Sequence, residues 1–213
     1  MAPIRLAIIG LPQAAKTSWT SQAHLPYLLS ERGRQRYQIV ALLNSSKASA
    51  EKAIEAYGLS PDIKAYGSPE DLAADKDVEM VVCTTRVDVH YDTVKPSVEA
   101  GKTVFVEWPL AENVGRAREL ADLAKVSGSQ TLVGLQGRVA PSITKVREVM
   151  QNGAIGKVLS SDVVAYTPFG GGNSMTEGLA YFLDKKVGGN PITIAFAHSA
   201  YPPILRACFF STC

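Results

Sequence analysis

The stretch Ile4–Trp19, IRLAIIGLPQAAKTSW, sets an apolar run ending in glycine directly before a loop and a new helical pattern. A run this short and this continuous reads as a strand buried on both faces, and the glycine as the turn that releases the chain into a helix. The same alternation repeats outward from it. YQIVALLN (37–44) follows a helical pattern over 19–30, and a second helix is expected over 48–57. SPEDLAA (68–74) places Ser68 to cap a short helix, with Asp71 three residues on. EMVVCTT (79–85) is again apolar throughout, a helix over 88–100 ends at Gly101, TVFVE (103–107) follows, and a helix over 112–127 ends at Gly128 before QTLVGLQ (130–136). These five apolar runs, within an expected count of six strands separated mainly by helices, require crossover connections, and those connections cover both faces of a parallel sheet. The fold expected is α/β, a doubly wound parallel sheet of Rossmann type over residues 1–136, followed by an incomplete α/β C-terminal domain over 137–213.

After Gln136 the texture changes. A helix is expected over 141–151, then a turn and a strand-like run in NGAIGKVLSSDVVAYTPF (152–169), then the glycine-rich FGGGNSMTEG and VGGNP. The final HSAYPPILRACFFSTC (198–213) follows neither helical nor strand periodicity. The chain of 213 residues carries 22 basic and 20 acidic residues without a basic stripe, so no direct nucleic-acid contact is expected. Cys83, Cys208 and Cys213 form no metal-spaced set, which points to a reducing compartment and no metal. No run approaches the ~18 apolar residues of a membrane span, so a cytoplasmic protein is expected, a nuclear location being compatible.

Against the dinucleotide pattern G-x-G-x-x-G/A, the loop presents Gly10, Pro12 and Ala15, with Gln13 and Ala14 between the last two. Gly10 allows the tight turn and Ala15 close helix–strand packing, whereas Pro12 offers no N–H to a pyrophosphate. Taken alone the loop is equally a generic strand-to-helix turn; its βαβ setting favours a nucleotide. Where NAD-binding folds place an acid after the second strand, this chain has Asn44, Ser45, Ser46 and Lys47. Hydroxyls and an ammonium suit a 2′-phosphate better than a bare hydroxyl, so NADP is favoured, with NAD as the alternative. Ser46 also reads as a helix N-cap, and both roles can coexist.

Together with these residues, the run CTTRVDVHYDTVKPSVEAGKTVFVEWPLAENV (83–114) and VGLQGR (133–138) resemble the glucose–fructose oxidoreductase/inositol dehydrogenase (Gfo/Idh/MocA) family, in its fungal branch around the galactose-pathway repressor. The resemblance spans about residues 4–198 and implies a Rossmann domain binding NAD(P), followed by an α/β domain whose open sheet forms the substrate wall and commonly a dimer face. It places Thr84, Thr85, Arg86 and His90 beside the nicotinamide ribose and matches Glu107-Trp108-Pro109 to the family's Glu-Lys-Pro, whose lysine exchanges a proton with a hydroxyl or carbonyl. An indole N–H does not release a proton near neutral pH, so Trp108 cannot take over that task. Gln136 and Arg138 match a polar pair after the sixth strand. His198 is the candidate catalytic residue, a structural histidine being its alternative, and Ile194 stands where the family has an aspartate. His24 and His90 show no partner in the sequence and read as structural. The tail after His198 departs from the family and reads as a shortened or differently spliced product, leaving the run over 157–166 as an unpaired edge. The function expected is that of an NAD(P)-binding oxidoreductase-family protein acting on a small hydroxyl or carbonyl compound, with a secondary-metabolite setting in view. The alternative is a non-catalytic NAD(P)-sensing regulator that binds a regulatory protein partner.

Overall fold

Six strands form one sheet in the order β3-β2-β1-β4-β5-β6: β1 Ile4–Ile9, β2 Tyr37–Leu43, β3 Lys64–Tyr66, β4 Met80–Cys83, β5 Thr103–Glu107 and β6 Thr131–Gly134. The computed structural model describes residues 2–13, 18–160, 162, 164, 177–196 and 198. All strands run parallel, and the register sets Ile9 beside both Leu43 and Cys83, and Cys83 beside Val106. This is the doubly wound α/β fold expected.

The central strand explains the two-layer cover. Leu6, Ala7, Ile8 and Ile9 are all essentially inaccessible, and they alternate between two cores. Ala7 and Ile9 join Leu72 of α4 (Pro69–Ala74), Val94 and Val98 of α5 (His90–Glu99), and Leu120 and Ala124 of α6 (Val114–Ser127). Leu6 and Ile8 face Leu25 and Leu28 of α1 (Leu25–Leu29) and Ala50, Ala53 and Ile54 of α3 (Lys47–Ala56). A fully buried leucine or isoleucine contributes about 1.5–3 kcal/mol relative to an exposed one, so neither helix layer is dispensable.

The sequence expectations are refined in four places. The helix expected over 19–30 is a π-helical turn Thr20–His24, then α1, then a separate α2 (Glu31–Arg34) capped by Ser30, whose hydroxyl accepts from Gly33 N. A Cβ on Gly33 would lie 1.9 Å from the Tyr27 carbonyl oxygen, so this sharp junction requires glycine. The helix expected from 112 starts at Val114, with Asn113 as its cap. β3 is the strand no apolar run announces. The run over 157–166 has no strand at residues 157–160, 162 and 164, and its other residues lie outside those described.

The chain divides into two compact units, Met1–Val133 with Lys186–Gly188, and Gly134–Lys185 with Gly189–Cys213. In the second unit α7 (Pro141–Gln151) buries no residue of its own, and Val146, Val149 and Met150 line an open groove with Ile155 and Val158. Among the described residues, no helix is long and apolar enough to cross a membrane.

Candidate functional site

The sheet order reverses between β1 and β4: from β1 the chain steps outward to β2, and later returns to the other side with β4. Ligands of doubly wound sheets bind at such a switch point, beyond the carboxyl ends of the strands. Here Gly10 leaves β1 with φ +95°, and a Cβ on it would lie 2.6 Å from Thr85 Cγ2. Only glycine meets both conditions, and the loops after β1 and β4 therefore touch. Thr84 N donates to the Ile9 carbonyl at 3.1 Å, and Thr20 Oγ1 donates to the Gly10 carbonyl at 2.5 Å while sharing a hydrogen bond with the Thr84 hydroxyl.

Asn44 occupies the end of β2 and is 8% exposed. Its Oδ1 accepts from Leu11 N at 2.9 Å, and its Nδ2 donates to the carbonyls of Leu11 at 3.1 Å and Ser49 at 3.2 Å. The amide thus holds the glycine loop to the first turn of α3. Ser45, Ser46 and Lys47 remain exposed beside it. Ser46 Oγ accepts from Ser49 N at 3.1 Å, which confirms the cap and leaves its own proton available to a ligand. A helix N-terminus with two hydroxyls and an ammonium is a favourable place for an anion. Pro12 is half-buried and Gln13 exposed, while Ala14 and Ala15 lie outside the described residues.

On the β4 side, His90 is 2% exposed, with Nε2 2.8 Å from the Thr85 carbonyl oxygen and Nδ1 2.9 Å from that of Pro109. Burial pushes its imidazole below the ordinary range, against the pull of the two carbonyls. His90 therefore staples the loop after β4 to the turn Glu107-Trp108-Pro109, in which the Trp108–Pro109 peptide is cis. Arg86 is tied to Asp88 at 2.6 Å, and the guanidinium holds that carboxyl below the usual carboxylate range.

The feature sequence reasoning missed is a cluster on Glu107. Trp19 Nε1 donates to Glu107 Oε1 at 3.1 Å, and His24 Nε2 lies 2.6 Å from the same oxygen. His24 also meets the Phe105 ring edge-on at 5.6 Å. The reading of His24 as partnerless is thereby corrected. A carboxylate at the end of a buried strand demands a donor, and the turn after the glycine loop supplies two.

A family model described as the oxidoreductase family, NAD-binding Rossmann fold, GFO_IDH_MocA, matches residues 4–135. The chain belongs to the Gfo/Idh/MocA oxidoreductase family. A second family model, the Gal80p C-terminal domain, matches residues 141–202. Dehydrogenase aclE of Aspergillus oryzae is 34% identical over 199 residues, covering 92% of this chain and 52% of the relative. The galactose/lactose metabolism regulatory protein GAL80 of Kluyveromyces lactis is 30% identical over 204 residues, covering 92% of this chain and 44% of the relative. Among solved structures, a super-repressor mutant of Gal80p from Saccharomyces cerevisiae superposes with a TM-score of 0.86 at 28% identity, over 98% of this chain and 54% of that one. The chain spans about half the length of the curated relatives it matches.

Within this family frame the remaining candidates fall in the second unit. Gln136 and Arg138 lie on a 3-10 turn, Gln136–Val139, and the His198 carbonyl oxygen sits 2.6 Å from where a Cβ on Gly137 would stand. The second unit therefore brings His198 onto the 136–138 turn, as the first unit gathers the ends of β1, β2, β4 and β5.

Proposed function

We propose that this protein binds NADP in preference to NAD at the crevice beyond β1 and β4, as the nucleotide-binding part of an oxidoreductase acting on a small hydroxyl or carbonyl compound. The observation that carries the reading is the end of β2. Asn44 is consumed in holding the loop, no carboxylate stands there to take a ribose 2′-hydroxyl, and Ser45, Ser46 and Lys47 are exposed at the N-terminus of α3. In this reading Gly10, Pro12, Gln13, Ala14 and Ala15 form the pyrophosphate turn. Thr84, Thr85, Arg86 and His90 shape the nicotinamide ribose side, and Glu107, Trp108 and Gln136 complete the cofactor set. The dinucleotide, when bound, supplies hydride exchange; the chain's own residues bind, orient and exclude water. His198 is the proposed proton-handling residue of the second domain, taken to begin near residue 137, and the protein acts in the cytoplasm or nucleus.

Trp108 in the lysine position favours a second reading, a non-catalytic regulator that senses NAD(P) and answers to a protein partner. The Gal80p C-terminal match over residues 141–202 supports it. Isothermal titration with NADP, NAD and their reduced forms tests the binding, with NADP expected to bind roughly tenfold tighter than NAD, ~1.4 kcal/mol. NAD binding as tightly as NADP would remove the basis for the phosphate assignment. Trp108→Lys then separates the two readings: NADPH oxidation with a panel of carbonyl compounds already present in the wild type supports the enzyme. Turnover absent from the wild type and gained by the variant supports the regulator.

A further inference from the structure

The cluster on Glu107 lies on the side of the switch point away from β2. A dinucleotide laid across the crevice with its adenosine half at β2 directs its nicotinamide half toward β4 and β5. Glu107 is the last residue of β5, and the turn that delivers His24 also delivers Thr20, which bonds Gly10 and Thr84. We infer that His24, oriented by Glu107, is the proton-exchanging residue of the nicotinamide half of the crevice, and that it releases a proton when the oxidised dinucleotide binds but not when the reduced form binds. This inference rests on the dinucleotide reading above.

The geometry is that of a carboxylate–imidazole pair. The Glu107 side chain is 11% exposed and that of His24 21%, with 2.6 Å between Oε1 and Nε2. The Trp19 indole donates to the same oxygen, so Oε1 is pinned before it meets the imidazole. A pinned carboxylate fixes the ring's orientation. Nδ1 makes no hydrogen bond to a described residue, and with Nε2 engaged it is the atom through which a proton enters or leaves. Among the described residues, Glu107 on β5 is the charged group in contact with His24. Phe105 of the same strand packs on the ring's edge, and Trp19 of its own turn shares Glu107; neither carries charge.

An oxidised nicotinamide ring is a cation and a reduced one is neutral. A cation entering the same half-buried space disfavours the imidazolium. The Nδ1–H bond breaks, the proton passes to solvent, and no electron moves. The neutral Nδ1 so produced is able to accept a hydroxyl proton from a substrate, which an indole cannot do. Glu107 is a positioning residue in this account.

Isothermal titration of the whole chain with NADP⁺ and with NADPH, each in phosphate and in Tris at pH 6.5–7, counts protons exchanged on binding. The 2′-phosphate is common to both forms, so its own titration cancels in the difference. Greater proton release with NADP⁺ is expected. Read at saturating nucleotide, it should disappear in His24→Gln and shrink in Glu107→Gln. Equal proton counts for the two forms, or a difference that survives His24→Gln, overturn the inference and leave the dinucleotide reading intact. Absence of binding by either form overturns both. Ring-proton NMR of the three histidines in the wild type needs no variant: a titration midpoint of His24 that moves down with NADP⁺ and not with NADPH supports the pair as proton holder, and an identical midpoint in both defeats it.

Discussion

At the scale of single residues, Asn44 and Lys47 stand three positions apart and do opposite work. Asn44 closes two hydrogen bonds on Leu11 of the glycine loop and one on the Ser49 carbonyl of α3, and Leu11, whose N–H and carbonyl it serves, is completely buried. Asn44→Ala strands those groups away from water, a loss of about 1–3 kcal/mol for an unsatisfied buried donor. Urea unfolding should record that loss, together with weakened binding of every dinucleotide form alike. Lys47→Ala touches no buried group and should leave the unfolding free energy within about 0.5 kcal/mol. It should instead lower NADP affinity alone. If Asn44→Ala unfolds at the wild-type midpoint, the amide does not hold the loop. The sequence exposed Asn44 only as the residue at an acid's usual place. What its amide reaches depends on a loop 33 residues earlier in the chain, and that approach is set by strand order. The pairing of His24 with Glu107, 83 residues apart, was illegible for the same reason.

At the scale of elements, what could be read was what burial writes into the chain. β1, β2, β4 and β5 lie between two helix layers, so their apolar runs are nearly unbroken. β3 is a three-residue edge strand held by Lys64, whose ammonium reaches Asp75 at 3.0 Å and Asp77 at 2.7 Å. Polar ties of that sort leave no periodicity to detect. Helix ends depend on caps rather than on period, and α6 illustrates it. Its apolar pattern admits a start at Glu112, yet Asn113 adopts extended backbone and its Oδ1 accepts from Arg116 N at 3.0 Å. Glu112 is left outside, pairing with Arg116 at 3.0 Å. Asn113→Ala removes the cap and should cost about 1 kcal/mol. In a domain of this size that is a fall of about 2–4 °C in the thermal midpoint. Asn113→Asp, which keeps the acceptor, should restore most of it; equal losses in both variants would mean the cap is not what stabilises the start of α6.

At the scale of the whole molecule, the near balance of charge conceals groups whose protonation is coupled to folding. His90 is held below its ordinary value of 6.5 chiefly by burial, so the folded state binds fewer protons than the unfolded one in the range just beneath that value. Its contribution to stability is complete above about pH 6.5 and declines as pH falls toward the folded-state value. Asp75 is raised by burial, but hydrogen bonds from the Asp77 N–H, Tyr66 and Lys64 outweigh that and hold its carboxyl low. Asp88 is held low by Arg86, and Glu79 by the backbone N–H and side chain of Arg5. These carboxylates contribute above about pH 4 and lose their contribution as pH falls through their depressed values. Stability against urea should therefore be level just above neutrality, begin to decline as pH falls below about 6.5, and decline again below about pH 4. His90→Gln lowers stability at pH 7.5, because the staple between Thr85 and Pro109 is weakened, and it removes the first decline while leaving the second. A first decline of unchanged slope in that variant would show that His90 is not the group being protonated, and that the two loops are held together by other means.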